Sequence, residues 1–306
     1  MWYFFYNLAL TVVFLAALPA LPLLFLLGPR YRDGLSQRFG LYPRAVRRSM
    51  VSARPIWIHA SSVGEVRSAE ALVSELKGHA PQRKVLVSTF TATGNRIARQ
   101  IPGVDAAIYL PLDFPWTVHR ALGIFDPSLL LIIETEIWPN LLRAAFRRGV
   151  PSVLLSGRLS EKALARYSIL KAFFRRVLAF FTVLGVQSSG DAARMATLGA
   201  TAKKVVVVGS LKFAAGRGDN GGGKIVSARD PGRHLVVAGS CHRGEEEILL
   251  EAFLSARARF PKLSLVLAPR HPERFAEVER LLQNSPFVFQ RKSRLTVEQY
   301  FAQDVL

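Results

Sequence analysis

The stretch that decides the fold is Trp57-Ile58-His59-Ala60-Ser61-Ser62-Val63-Gly64-Glu65-Val66. It begins as a short apolar run, which is typical of a buried strand, and then breaks at Ser-Ser-Val-Gly. From Val66 to Leu76 apolar residues recur at spacings of three and four, which predicts an amphipathic helix. The stretch therefore predicts a strand, a tight turn and a helix start, with Glu65 in the first helical turn.

The position of Glu65 allows two interpretations. A carboxylate in the first turn complements the positive end of the helix dipole, which is a surface role. The same helix end offers unpaired N–H groups and small residues that let a ligand approach, which is a site role. The helix N-terminus lowers the pKa of Glu65, whereas burial against Trp57 or lipid raises it, and the sequence leaves this balance open.

The rest of the chain repeats the alternation of strand and helix. Apolar, β-branched runs predict six more strands before position 209 and two after position 233. They are Lys84–Ser88, Ala106–Leu110, Leu129–Ile133, Ser152–Leu155, Thr182–Val186 and Val205–Val208, then Leu235–Ala238 and Leu263–Leu267. Unbroken apolar strands separated by helices predict parallel sheets covered on both faces, with ligands beyond the carboxyl ends of the strands.

Composition narrows the class of protein. A chain of 306 residues, half of them hydrophobic, is long enough for two α/β domains. The single cysteine, Cys241, excludes an internal disulfide and is interpreted as inert packing, and no Cys/His spacing predicts a zinc site. A formal net charge of +19 indicates an anionic partner: a membrane surface, nucleic acid or a phosphorylated substrate. Aromatic and basic residues do not interleave, so nucleic acid is not the predicted partner.

The N-terminus favours a membrane surface. Residues 1–29 contain no charged side chain, and seven arginines follow between Arg30 and Arg54. Since roughly 20 apolar residues span a bilayer, this pattern predicts a membrane-anchor helix with the body on the cytoplasmic side, near anionic lipid. A cleaved signal peptide would begin with basic residues, and these are absent here. Pro19 and Pro22 leave open the alternative of a helix that lies in the membrane interface without spanning the bilayer.

Several motifs, in order, resemble those of one family. The string from His59 to Glu65 resembles the signature of the bacterial 3-deoxy-manno-octulosonic acid (Kdo) transferases, and residues 31–40 resemble the segment after their anchor. Gly209-Ser210-Leu211-Lys212-Phe213 resembles a further element, with Ser210 and Ala214 as departures, and Pro269-Arg270-His271-Pro272-Glu273-Arg274 resembles the donor-side motif.

The resemblance implies an α/β fold with two Rossmann-like domains of the GT-B glycosyltransferase type, the second incomplete, and an N-terminal membrane-anchor helix. The expected divisions are an anchor at 1–29, an acceptor-binding domain at 30–213, a Gly-rich linker at 214–232 and a partial donor-binding domain at 233–306. Family members continue for roughly another hundred residues that hold the donor nucleotide. The chain is therefore predicted to be C-terminally truncated, with an apparent strand beginning at 304–306.

The resemblance also implies a reaction. Kdo would pass with inversion from CMP-Kdo to the lipid A precursor (lipid IVA), at the cytoplasmic face of the bacterial inner membrane and without a cofactor or metal. Glu65 is then the general base and Glu134 a second functional carboxylate. The expected substrate-binding residues are Ser62, Gly64, Thr93, Arg158 and Lys212, with Ser240, Arg270 and His271 near the donor phosphate.

Alternatives remain open at this point. The chain is alternatively a truncated, non-catalytic remnant that binds the lipid acceptor, or a basic membrane-tethered nucleic-acid binder. The acidic pair at 134 and 136 is alternatively a helix-capping arrangement, and Thr91-Ala92-Thr93-Gly94 a plain turn. Arg158 is alternatively a surface cation, and the string at 269–274 a solvated charge cluster.

Overall fold

The computed structural model describes residues 1–20, 33–212 and 234–291. The chain divides into two compact units, Met1–Arg217 and Gly218–Leu306. The predicted linker at 214–232, the strand expected at 304–306 and positions 21–29 of the predicted anchor lie outside the described residues.

The first unit is built on a seven-stranded parallel sheet, which confirms the predicted α/β fold with a parallel sheet. Its strands are β1 Ile56–His59, β2 Val85–Thr89, β3 Ala106–Tyr109, β4 Leu129–Ile133, β5 Ser152–Gly157, β6 Val183–Val186 and β7 Val205–Val207. They lie in the order β3-β2-β1-β4-β5-β6-β7, and every pairing is parallel.

Helices cover both faces of this sheet. They are α1 Trp2–Ala17, α2 Leu35–Arg38, α3 Arg44–Met50, α4 Val63–His79, α5 Ala92–Ala98, α6 Pro115–Phe125, α7 Pro139–Arg147, α8 Glu161–Ser168, α9 Lys171–Leu178 and α10 Ser189–Thr197. Strand side chains alternate between two hydrophobic clusters: Trp57 and Leu130 join the one that contains α6 and α7, whereas Ile58 and Leu131 join the one that contains α4. The predicted coverage of both faces is confirmed.

The strand order reverses between β1 and β4. The chain leaves β1 toward β2 and β3 on one side and later returns with β4 on the other side, so that His59 pairs with Ile132. Ligands of open α/β sheets bind beyond the carboxyl ends of the strands at such a reversal. The two segments that follow β1 and β4 carry Glu65, Glu134 and Glu136.

The second unit contains a parallel pair of strands with two helices in its described part. The strands are β8 His234–Cys241 and β9 Leu263–Pro269, and the helices are α11 Glu245–Arg257 and α12 Phe275–Gln283. Cys241 is buried in the hydrophobic cluster of this unit, together with Phe253 and Leu265, which agrees with a packing role.

The first helix is shorter than the predicted anchor. The sequence predicts a helix over residues 1–29, whereas α1 has 16 residues and is followed by a 3₁₀ turn, Leu18–Ala20, that contains Pro19. No helix within the described ranges is both long and apolar enough to cross a membrane. The predicted span is therefore not found in the described part of the chain, where the regular helix stops short of the roughly 20 residues that a span requires.

Helix α1 packs on the rest of the first unit through polar contacts that the sequence did not reveal. The hydroxyl of Tyr3 donates to the carbonyl oxygen of Pro139 at 3.1 Å, and the hydroxyl of Tyr6 donates to the carboxylate of Asp113 at 2.9 Å. The side-chain amide of Asn140 donates to that of Asn7 at 2.6 Å. Pro139 and Asn140 begin α7, so α1 is bonded to the start of the helix that follows Glu134 and Glu136.

Asp113 is the centre of this docking contact. Its buried carboxylate also accepts the backbone N–H groups of Asn140 and Leu141, each at 2.8 Å, which are unpaired donors of the first turn of α7. Burial raises the pKa of Asp113 to about 7, against the opposing effect of these donors and of Tyr6. Asp113 thus binds both α1 and the N-terminus of α7.

We predict that Tyr6→Phe destabilises the protein more than Tyr3→Phe. Each variant loses one phenolic hydroxyl from α1, but only the hydroxyl of Tyr6 donates to a carboxylate. A hydrogen bond to a charged group contributes about 1.5–3 kcal/mol and a neutral one about 0.5–1.5 kcal/mol. Denaturant unfolding in detergent, at a pH above the pKa of Asp113, measures the difference. Equal losses in the two variants would show that the charge on Asp113 does not strengthen the docking.

Candidate active site

Glu65 is held by the turn that precedes it. Ser62 is the N-cap of α4, and its hydroxyl oxygen accepts from the backbone N–H of Glu65 at 3.4 Å while its hydroxyl hydrogen is donated to Oε1 of Glu65 at 2.8 Å. Oε2 accepts from the backbone N–H of Ser61 at 2.6 Å. This arrangement resembles a capping box, so Glu65 has a structural role as well as a position at the carboxyl edge of the sheet. Gly64, in the same helical turn, is exposed.

Burial is the largest influence on the pKa of Glu65 in the structure. Only 8% of the residue is exposed. Burial raises the pKa of Glu65 above its ordinary 4.5, and the bonds from Ser62 and Ser61 oppose this only in part. The neighbouring carboxylates of Glu136 and Glu134 raise the pKa further. A raised pKa suits a carboxylate that takes up a proton near neutral pH.

Glu134 directly follows β4 and pairs with a lysine. Its Oε1 lies 2.7 Å from Nζ of Lys212, so the lysine after β7 reaches the edge of the sheet where β4 ends. The backbone of Glu134 has a φ of +60°, a left-handed conformation that is uncommon for residues other than glycine. Strained backbone of this kind clusters at functional sites.

Glu136 lies in the same loop but has different neighbours. Its Oε2 is 3.8 Å from Nε2 of His59, the fully buried last residue of β1. The pKa of Glu136 is lowered, first by His59 and then, against burial, by Trp138 and Ser61. Trp138 stacks on Phe90 with ring centroids 6.0 Å apart, so an aromatic pair borders the carboxylates.

The turn after β2 packs against the turn after β1. The backbone N–H groups of Phe90 and Thr91 donate to the carbonyl oxygen of Ser61 at 3.1 Å and 3.3 Å. Thr91 caps α5 by accepting from the N–H of Gly94 at 3.1 Å, which leaves the exposed Thr93 in the first turn of that helix. The predicted phosphate-binding turn therefore adjoins the Glu65 turn.

Arg158 is exposed and follows β5. Its backbone N–H donates to the hydroxyl oxygen of Thr135 at 3.2 Å, and that hydroxyl donates to the Arg158 carbonyl oxygen. Because Thr135 separates Glu134 from Glu136, Arg158 lies beside the acidic loop. The structure thus brings Glu65, Ser62, Glu134, Lys212 and Arg158 to one edge of the sheet.

In the second unit, Ser240, Arg270 and His271 meet at the carboxyl ends of β8 and β9. All three are exposed, and Ser240 has a φ of +63°. The N–H of Arg270 donates to the carbonyl oxygen of Cys241 at 2.9 Å, and the rings of His271 and His242 are 6.1 Å apart. An exposed arginine beside a hydroxyl and an imidazole at a strand end suits a phosphate group.

One arginine of the same motif has a structural role that the sequence did not reveal. Arg274 donates to both carboxylate oxygens of the buried Glu246, at 2.8 Å and 3.1 Å. It therefore stabilises the packing of α11 rather than facing a ligand. Within the described ranges, no group of three or more His, Cys, Asp and Glu side chains is placed to hold a metal ion.

Comparison with known proteins assigns the family. The family model described as 3-deoxy-D-manno-octulosonic-acid transferase (kdotransferase) matches residues 33–215. A 3-deoxy-D-manno-octulosonic acid transferase of Haemophilus influenzae is 37% identical over 96% of this chain and 69% of its own length. The chain belongs to the Kdo transferase family. A second relative of the same name, from Bordetella pertussis, is 36% identical over 79% of this chain and 58% of its own length.

Solved structures show the same fold. A UDP-GlcNAc 2-epimerase from Neisseria meningitidis matches with a TM-score of 0.57 at 15% identity, over 82% of this chain and 70% of that one. A putative UDP-N-acetylglucosamine 2-epimerase from Listeria monocytogenes matches with a TM-score of 0.55 at 12% identity, over 76% and 67%. These GT-B-like neighbours support the α/β architecture of the Kdo transferase chain and nothing about its substrate.

Two parts of this candidate site were not predicted. The resemblance favoured Glu134 as the second carboxylate, whereas Glu136 contributes more than Glu134 to the raised pKa of Glu65. His59 stood in the signature string without a role, and the structure places its imidazole against Glu136. The sequence did contain one signal for both residues, which is their position: His59 and Glu136 lie at or just after the ends of two strands that are neighbours in the sheet.

We predict that Glu65→Gln stabilises the protein relative to the wild type and that this gain grows with pH. Well below its ordinary pKa of 4.5, Glu65 is protonated in both the folded and the unfolded state, so its ionisation has no effect on stability. As the pH rises, the folded state resists ionisation because its pKa is raised, and the wild type loses stability that the glutamine retains. Thermal unfolding between about pH 4 and pH 8 measures the gap.

The matched control is Glu70→Gln, an exposed position on the same helix, for which no pH-dependent gap is expected. A gap between Glu65→Gln and wild type that narrows with rising pH would contradict the raised pKa. Glu65→Ala also loses the bond to the Ser61 N–H and is expected to be about 1 kcal/mol less stable than the glutamine variant.

Proposed function

We propose that this chain transfers Kdo from CMP-Kdo to the lipid A precursor, lipid IVA, with Glu65 as the general base. The observation that carries the proposal is the placement of Glu65: a buried carboxylate with a raised pKa, at the strand-order reversal, in a member of the Kdo transferase family. The chain spans 69% and 58% of the two relatives described above, so the activity is a proposal for this polypeptide.

The proposed step exchanges one bond at the anomeric carbon for another and moves one proton. The acceptor hydroxyl oxygen attacks the anomeric carbon of Kdo, its proton passes to the Glu65 carboxylate, and the bond from that carbon to the CMP phosphate oxygen breaks. CMP leaves with the bonding electron pair, and attack from the opposite face inverts the configuration. Glu65 contributes proton removal, and the turn that holds it contributes orientation.

The other predicted residues have proposed roles that fit their positions. Lys212, paired with Glu134, would place a cation near the acceptor, and Arg158 beside the acidic loop would meet an acceptor phosphate. Ser62, Gly64 and Thr93 would line the approach to Glu65. The donor phosphate would bind at the second unit's strand ends, through Ser240, Arg270 and His271. Cationic side chains there would stabilise the departing CMP, so the proposal invokes no cofactor.

We predict that Glu65→Gln lowers transfer from CMP-Kdo to lipid IVA by at least roughly 100-fold, because general base catalysis typically contributes that much or more. Glu70→Gln on the same helix is the matched control and is expected to keep wild-type turnover. Turnover of the radiolabelled sugar by the full chain measures the effect. Equal turnover in Glu65→Gln and wild type removes Glu65 as the base.

The same assay decides between transfer and the alternative function. A wild-type chain that binds lipid IVA but gives no turnover would contradict the proposed transfer and favour a non-catalytic chain that retains the acceptor site. Acceptor binding is measured separately, by the retention of the chain on vesicles that contain lipid IVA.

We also propose that the first unit rests on the cytoplasmic face of the bacterial inner membrane. The side of α1 that does not dock on the sheet domain exposes apolar side chains at helical spacing: Phe4, Phe5, Leu8, Val12, Val13 and Leu15. Helix α3 exposes Arg44, Arg47 and Arg48. An apolar helix face together with basic side chains suits a surface of anionic lipid.

We predict that Phe5→Glu lowers binding to vesicles of anionic lipid by roughly tenfold, because burying one aromatic side chain contributes about 1.5–3 kcal/mol. The matched control is Ile248→Glu, which makes the same charge change at an exposed apolar position on α11 of the second unit. Flotation of the chain with phosphatidylglycerol vesicles measures both. Equal loss in the two variants would show that net charge, and not the face of α1, governs binding.

A further inference from the structure

His59 has chemistry that the proposed transfer step does not use. Its imidazole is fully buried at the end of β1. Nδ1 lies 3.0 Å from the hydroxyl oxygen and 3.1 Å from the carbonyl oxygen of Ser88 on β2. Nε2 faces the acidic loop, 3.8 Å from Oε2 of Glu136, and it has no hydrogen-bond partner within the described residues. A buried nitrogen without a partner is uncommon and calls for an explanation.

The neighbours of Ser88 favour one tautomer of His59. The Ser88 carbonyl oxygen already accepts the backbone N–H of Ala60 at 2.9 Å, so the hydroxyl of Ser88 is the partner that decides the role of Nδ1. The indole N–H of Trp57 donates to the hydroxyl oxygen of Ser88 at 2.8 Å, which leaves the hydroxyl hydrogen free to be donated to Nδ1 of His59. Nε2 then carries the hydrogen and points it at the carboxylate of Glu136. The other neutral tautomer would point a lone pair at that carboxylate, which is repulsive, whereas the imidazolium also carries a hydrogen on Nε2.

A second buried donor borders the same carboxylate. The indole nitrogen of Trp138 is buried and helps to lower the pKa of Glu136, although within the described part of the chain it makes no hydrogen bond of ordinary length. The Trp138 and His59 rings lie 6.2 Å apart, edge to face. A shift of Glu136 by about 1 Å brings it within hydrogen-bond distance of His59 Nε2. Glu136 is therefore the natural acceptor for a donor that otherwise has none.

We propose that His59 is a positioning residue that holds Glu136 as a carboxylate beside Glu65, and that Ser88 selects the tautomer that does so. The side chains that face this point come from five segments: His59 from β1, Ser88 from β2, Glu65 from α4, Glu134 and Glu136 from the loop after β4, and Lys212 from the residues after β7. Lys212 pairs with Glu134 at 2.7 Å and so neutralises the charge of that carboxylate. Among these groups no lysine or arginine pairs with Glu136, so the negative charge of Glu136 acts on Glu65.

The consequence for Glu65 is a stronger base. A fixed negative charge close to Glu65 disfavours its ionised form and so raises its pKa. His59 also prevents the two carboxylates from sharing a proton, because its Nε2 hydrogen keeps Glu136 ionised. This part of the inference rests on the proposed function, whereas the tautomer of His59 does not.

The tautomer is tested by NMR on the full chain labelled with ¹⁵N-histidine. The His59 signal is assigned by its loss in His59→Gln, and we expect a hydrogen on Nε2. In Ser88→Ala the remaining partner of Nδ1 is the Ser88 carbonyl oxygen, which only accepts, so the hydrogen is expected to move to Nδ1 in the neutral ring. The matched control is Ser152→Ala in β5 of the same sheet, which removes a buried hydroxyl that makes no hydrogen bond within the described ranges and is expected to leave the tautomer unchanged.

A hydrogen on Nδ1 alone in the wild type, or an unchanged tautomer in folded Ser88→Ala, would overturn the proposal. The wild-type spectrum tests it even where a variant does not fold.

The effect on Glu65 is tested by the pH dependence of kcat/KM. Glu136→Gln keeps the shape and removes the charge, so the acid limb of the profile is expected to move to lower pH, and Glu70→Gln is expected to leave it in place. If Glu65→Gln is inactive but the acid limb of Glu136→Gln stays at the wild-type pH, the positioning role of His59 and Glu136 is contradicted and the proposed base is not. Full activity of Glu65→Gln would instead show that Glu65 is not the general base. The tautomer of His59 would then be tested by the NMR experiment alone.

Discussion

The reversal of strand order between β1 and β4 is the constraint on which the candidate site depends. At this point the crossover connections leave the sheet in opposite directions, and open α/β sheets bind their ligands beyond the strand ends at such a reversal. Glu65 comes from the segment after one strand and Glu134 and Glu136 from the segment after the other. Lys212 reaches the same edge from the end of β7. Residues far apart in the chain thus become neighbours without any long loop.

The close placement of Glu65, Glu134 and Glu136 is electrostatically unfavourable, and the neighbouring residues reduce the repulsion between them. Three carboxylates near one buried point repel each other, and burial penalises each charge. Donors from Ser61 and Ser62 stabilise Glu65, Lys212 neutralises Glu134, and His59 and Trp138 lower the pKa of Glu136. The net result is one carboxylate, Glu65, with a raised pKa. Unequal environments for neighbouring acids are how a site assigns them different roles.

The N-terminal helix is physically linked to this site. Helix α1 bonds to Pro139 and Asn140 directly and through Asp113, and these residues begin α7. The loop that ends at α7 carries Glu134, Glu136 and Trp138. A contact that holds the start of α7 therefore also holds one end of the acidic loop. The described part of the chain shows a short helix packed on a domain, with its apolar outer side chains exposed.

The sequence by itself determined the local elements and their kind. Apolar runs predicted Leu129–Ile133 to the residue, and the break after His59 predicted the turn and helix that carry Glu65, because strand and cap signals are local. Only the tertiary structure decided the direction of the Glu65 pKa shift, the pairing of Lys212 with Glu134, the structural role of Arg274 and the docking of α1. Each of these depends on burial and on partners distant in the chain, and no local pattern of residues encodes which groups a folded sheet brings within a few ångströms of each other.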